Sequence, residues 1–126
     1  MGISNIIQSA DWSKEKHVPV IEVKSKTDLI EIEVSVGKQI PHPNTTEHHI
    51  RFIEVYFLAD GEKFAYQLGR FEFGAHQEST QGPNTSTIFT EPKVNLFFKT
   101  SKSGTIFALA YCNIHGLWEN QLKLEL

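Results

Sequence analysis

From Ile30 to Val36 the chain alternates without a break: Ile30, Ile32, Val34 and Val36 against Glu31, Glu33 and Ser35. A period of two places successive side chains on opposite faces of an extended strand, so this segment buries its apolar row only by lying on one side of a core. Gly37 closes the run. The same theme recurs along the chain. Val18 to Lys24 reads as an earlier strand. Ile50 to Ala59 is rich in aromatic and β-branched residues and is followed by the turn signal Asp60-Gly61. Phe64 to Phe73 comes next, then Gly74. His76 to Thr87 is a Gly/Pro/Ser/Thr/Asn loop, long enough to be functional or to cross between sheets. Ile88-Phe89-Thr90 reads as a short strand ended by Pro92. Val94 to Thr100 and Thr105 to Cys112 have the pattern of a hairpin around Ser101-Lys102-Ser103-Gly104. Leu122, Leu124 and Leu126 alternate with Gln121, Lys123 and Glu125. Ile3, Ile6 and Ile7 have helical spacing and allow a short N-terminal helix or turn. About seven short strands separated by turns predict an all-β fold, an immunoglobulin-like antiparallel sandwich of two sheets.

At 126 residues the chain is expected to form one domain, 1–126. A net charge of −3 with interspersed signs leaves no basic footprint for nucleic acid. No apolar run approaches a membrane span. Met1-Gly2-Ile3-Ser4-Asn5-Ile6 lacks the basic and apolar regions of a secretory signal, and Ile6 breaks the myristoylation pattern. With one cysteine and no export signal, the expected compartment is the cytoplasm.

That cysteine, Cys112, lies three residues before His115 in Tyr111-Cys112-Asn113-Ile114-His115-Gly116. Alone it reads as inert core. A Cys-x-x-His spacing, however, brings two side chains to one point across a tight turn. Two other stretches carry histidines: Glu15-Lys16-His17-Val18-Pro19 and Ile40-Pro41-His42-Pro43-Asn44-Thr45-Thr46-Glu47-His48-His49. Extended chain from His42 to His48 would span about 20 Å, whereas two ligands of one metal have donor atoms about 3–4 Å apart. The loop must therefore double back, and Pro41, Pro43 and Asn44 suit such a bend. At one end of a sandwich the three segments can meet. His17, His42, His48, His115 and Cys112 are one donor too many for tetrahedral zinc; four imidazoles and a thiolate suit iron with one position left open.

The three segments, with the continuation Gly116-Leu117-Trp118, closely resemble the superoxide reductases of the neelaredoxin, one-iron kind, within the desulfoferrodoxin superfamily. The resemblance spans the chain. It implies one iron ion (Fe2+/Fe3+) held by His17, His42, His48 and His115 equatorially and by Cys112 axially. It implies that Glu15 occupies the sixth position in the oxidised resting state and that Lys16 stands near the open site. The implied reaction is one-electron reduction of superoxide to hydrogen peroxide, without O2, with re-reduction by a rubredoxin-like donor. Homotetramers occur in the family, so a homo-oligomer is expected. Only sixteen residues precede His17 and no cysteine is among them, so the four-cysteine desulforedoxin site of two-iron relatives is not expected. Backbone N–H groups of Ile114 and His115 could bond the sulfur and temper its electron donation.

Two bland readings use the same residues. A cupredoxin-like electron-transfer protein also combines an upstream histidine with a C-terminal Cys…His turn, but usually adds an axial methionine, and Met1 is the only methionine here. A structural zinc site in a binding module is the other. Both account for fewer donors than are present. His49, adjacent to His48 on extended chain, should point the opposite way and pack or hydrogen-bond. His76 reads as surface or structural, Glu47 as a supporting partner or a solvated charge, and Trp12 and Trp118 as core or rim aromatics, either of which could wall the iron pocket.

Overall fold

The computed structural model describes residues 1–126. One 3-10 turn, Ile3–Asn5, is followed by eight strands: β1 (Ile7–Gln8), β2 (Val20–Lys26), β3 (Ile30–Ser35), β4 (Ile50–Ala59), β5 (Tyr66–Glu72), β6 (Lys93–Phe98), β7 (Gly104–Cys112) and β8 (Gly116–Leu124). They form a five-stranded sheet, β1-β8-β7-β4-β5, and a three-stranded sheet, β2-β3-β6. This is the expected two-sheet sandwich. No helix is long and apolar enough to cross a membrane.

The alternation at Ile30–Val36 does what its period demands. Ile30, Ile32, Val34 and Val36 are buried against Ile53, Val55 and Phe57 of β4 and Ile106 and Ala108 of β7, all in one core. Ile32, Ile53 and Ile106 are wholly removed from solvent, and each such side chain contributes roughly 1.5–3 kcal/mol on burial. On β7 every second residue is buried, and Cys112 is the last of that row. The thiol is thus placed at the end of the core by strand register alone.

Three expectations are corrected. Residues 94–112 do not form a hairpin: β6 pairs with β3, whereas β7 pairs with β4 and β8. The polar link 99–103 carries the chain from one sheet to the other, and alternating patterns on both sides of a turn do not distinguish a hairpin from a crossover. The hairpin is instead β7–β8, closed over Asn113–His115 with Cys112 opposite Gly116. The last strand starts at Gly116 rather than near Leu122, because residues 116–121 are half-exposed and lack a clean alternation. At the N-terminus the helical spacing yields only the 3-10 turn, and Ile7–Gln8 joins β8 in parallel, so the larger sheet is not purely antiparallel.

Two glycines shape the site end. Gly37 has φ +85°, and a Cβ there would lie 2.6 Å from the backbone nitrogen of His42. Gly116 has φ +84° and lets β8 leave the Cys112–His115 turn.

Candidate metal centre

The 42–48 loop doubles back as its ligands require. Thr45 and His48 exchange both backbone hydrogen bonds, at 2.9 and 3.3 Å, and the Thr45 hydroxyl also accepts from the His48 N–H at 3.1 Å. At the other segment, the short β7–β8 turn brings His115 back over Cys112, whose sulfur accepts the His115 N–H at 3.3 Å. Ile114, the second amide expected on the sulfur, makes no such bond.

Donor atoms of His17, His48, Cys112 and His115 all lie within 4.8 Å of one another. His42 lies outside that tight group of four. Its ring nonetheless packs edge-on against both His17 and His48, with centroids 4.8 Å away in each case. The Nε2 atoms of His42 and His48 are buried without any hydrogen-bond partner. A buried polar atom left unpaired costs about 1–3 kcal/mol, and two of them in a cluster of imidazoles are what a bound cation would satisfy. His17 Nε2 and His115 Nδ1 are 3.2 Å apart; adjacent donors on one metal with bonds near 2.1 Å would be about 3 Å apart. The residues present therefore fit an ion held by imidazoles and one thiolate.

Protonation suits this arrangement. Burial lowers the pKa of His17 and His48 and pushes that of His42 down to about 4, so all three are neutral ligands near pH 7. The Lys16 ammonium adds to the depression at each, which places its positive potential on the cluster. Glu15 sits where its carboxylate braces His17: Oε1 accepts from His17 Nδ1 at 2.6 Å and from its backbone N–H at 2.8 Å. That contact fixes the His17 tautomer and leaves Nε2 free to ligate. Burial opposes ionisation of Glu15, but its bonds to His17 keep its pKa below the ordinary value. His42 Nδ1 donates to the Pro43 carbonyl at 2.6 Å, which orients that ring likewise.

Two supports were not read from the sequence. Asn113 brackets His48: its Oδ1 accepts the His49 N–H and its Nδ2 donates to the Glu47 carbonyl, both at 2.8 Å. One amide thus locks the His48 segment to the Cys112 turn; an asparagine inside Cys-x-x-His was the available signal. The second support is the loop after β5, which does cross between the sheets. Thr46 Oγ1 donates to the His76 carbonyl at 2.8 Å, Gln77 Nε2 to the Asn44 carbonyl at 2.6 Å, and the Asn84 amide to Glu47. Glu47 is exposed and serves as that loop's partner. His49 and His76 are both buried and stack at 3.5 Å. His49 therefore packs, and His76 is structural. Met1 is fully exposed, so no methionine reaches the centre as a copper site would want.

The desulfoferrodoxin family model matches residues 9–121. The chain belongs to the desulfoferrodoxin family. It is 61% identical over 123 residues to a superoxide reductase of Pyrococcus furiosus, covering 98% of this chain and 99% of that one. It is 45% identical over 129 residues to the neelaredoxin of Megalodesulfovibrio gigas, covering 100% and 99%. Among solved structures it is similar to the superoxide reductase (neelaredoxin) of Archaeoglobus fulgidus in the reduced form, with TM-score 0.93, 56% identity, and 96% and 99% of the two chains covered. Membership of the desulfoferrodoxin family, with a histidine and cysteine cluster at one end of the sandwich, disfavours the cupredoxin alternative.

Proposed function

We propose that this chain is a superoxide reductase that converts superoxide to hydrogen peroxide at one mononuclear non-haem iron per chain. The observation that carries the reading is the convergence of Cys112 with His17, His48 and His115, flanked by the buried, unpartnered Nε2 of His42 and His48. The names of the relatives support it. In this reading His17, His42, His48, His115 and Cys112 would hold the iron, Glu15 would exchange its bond to His17 for one to the oxidised iron, and one domain, 1–126, carries the whole site. When bound, the iron supplies the one-electron chemistry: superoxide takes one electron and two protons and leaves as hydrogen peroxide, with no O2 formed.

The chain's own residues do the rest. A net charge of −3 repels an anion at long range, so attraction must be local, and Lys16 is the cation beside the cluster. Glu15 keeps Nε2 of His17 aimed at the centre. The His115 N–H on the Cys112 sulfur draws density from the thiolate and tempers the push that, in thiolate-ligated haem, favours O–O cleavage. Re-reduction by a rubredoxin-like donor, removal of superoxide in the cytoplasm and assembly as a homo-oligomer, with a tetramer as the expected form, complete the proposal.

The test is metal analysis of unsupplemented protein together with superoxide-dependent oxidation of its ferrous form. About one iron per chain and stoichiometric peroxide with no O2 are expected. Zinc or copper in its place, or O2 released in equal amount to peroxide, would overturn the reading.

A further inference from the structure

Trp118 has no part in the chemistry above, yet it touches two of the donors. Its indole lies against the His17 ring with centroids 4.8 Å apart and planes within 14°. Its Nε1–H donates to the His115 carbonyl at 3.1 Å. His17 and His115 come from opposite ends of the chain, and each is incompletely restrained without this contact. The Glu15 carboxylate holds His17 at the Nδ1 edge and the rings of His42 and His115 meet it edge-on, but tipping of the ring out of its plane is limited by what lies on its face. A second flat ring against its face opposes the tipping. His115 is exposed and rides on a short turn, where its own N–H and its carbonyl are bonded, one to the Cys112 sulfur and the other to Trp118. Trp118 itself does not move freely, because β8 is paired on both sides there, with Ala110 of β7 and Gln8 of β1. The indole therefore transmits the rigidity of the five-stranded sheet to a site made of loops.

We propose that Trp118 is a positioning residue for the iron donors: it fixes the plane of the His17 ring and the height of the His115 turn together. This rests on the iron-centre reading. Partners that orient metal ligands typically change metal affinity by about 10- to 100-fold when removed.

The experiment compares iron-loaded wild type, Trp118→Phe and Trp118→Leu. Iron release to excess bipyridine, the ferric EPR line shape and the thermal midpoint of the iron-free chains are recorded. Leucine removes both contacts; release should quicken by about 10-fold, with broadened EPR lines from a spread of ligand angles. Phenylalanine restores the ring face but not the N–H; release should be about two- to three-fold faster than wild type, with most of the line shape recovered. A Leu variant whose release and EPR match wild type, even with a lowered iron-free midpoint, would make Trp118 a packing residue only and overturn the proposal. Should the Leu chain not fold, the Phe variant decides: release two-fold faster or more supports the role, and release equal to wild type overturns it. A wild type that takes up no iron overturns both the iron centre and this role, whereas iron-binding wild type with unaltered variants overturns this role alone.

Discussion

His48 and His49 are neighbours in sequence and belong to different chemistries. His48 joins His17, His42 and His115 in a cluster whose rings meet at angles from 30° to 80°, none closer than 4.8 Å between centroids, and two Nε2 atoms are buried with no partner. His49 turns away and stacks on His76 with planes only 6° apart. There three of the four ring nitrogens are bonded within the protein: His49 Nδ1 donates to the Thr45 carbonyl at 2.9 Å, and His76 reaches Phe73 and Asn44 through its two nitrogens. Burial lowers the pKa of His42 and His48 in the one group and of His76 in the other, so burial does not distinguish a metal-facing histidine from a structural one. What distinguishes them is whether the protein supplies the partner. Buried polar atoms are almost always paired, and the unpaired Nε2 of His48, where donors of His17, His115 and Cys112 converge, is suited to a cation.

The largest break in this comparison is at the sulfur. Cys112→Ser should abolish the sulfur-to-iron charge-transfer absorption of the ferric protein and its turnover with superoxide; an intact visible spectrum would remove sulfur from the ligand set. The histidine pair comes next. His48→Ala should drop iron content well below one per chain. His49→Ala should keep the iron, because its cost is a lost stack and one hydrogen bond, about 1–3 kcal/mol of stability. Metal analysis and thermal melts of the two variants read this directly, and equal iron loss in both would erase the division drawn here.

A smaller effect is expected at Lys16, which acts on the cluster without belonging to it. A unit charge about 6 Å from a bound anion is worth roughly 0.7 kcal/mol in water-like surroundings and about 3 at a part-buried site. Lys16→Ile should therefore slow the second-order reaction with superoxide by roughly three- to a hundred-fold and flatten its ionic-strength dependence. Iron content and spectrum should stay normal. Equal rates and salt slopes for the two proteins would return Lys16 to the ordinary surface lysines.

The remaining expected effect is on the pH dependence of stability. His42 is held neutral by burial down to about 4, against an ordinary value of 6.5. Between those values the unfolded chain binds a proton that the folded chain does not. Its contribution is thus fully present above about pH 6.5 and is lost as pH falls toward 4. Melting of the iron-free protein should weaken over that window, and iron loading should steepen the fall, because protons then also compete with the metal for the same nitrogens. An iron-free melting point flat from pH 7 to 4.5 would contradict the burial of a neutral His42.

By itself the sequence determined the class of the fold and singled out the residues proposed as donors. The period of two at Ile30–Val36 admits one kind of element, and Cys112, His115, His42, His48 and His17 sit in motifs whose residue types leave few metals to choose from. Only the tertiary structure decided which turn was the hairpin, because alternation tells a strand which face to bury but not which neighbour to pair with. The β7–β8 closure over residues 113–115, rather than a closure near residue 102, is what brings His115 over Cys112. Tertiary structure also decided the supports. Asn113 bracketing His48, the loop of His76, Gln77 and Asn84 holding residues 44–47, and Trp118 lying on His17 are contacts across 30 to 101 positions of chain, made by polar or aromatic residues with no local pattern of their own. Their partners are set by how the two sheets pack, and local periodicity carries no record of that.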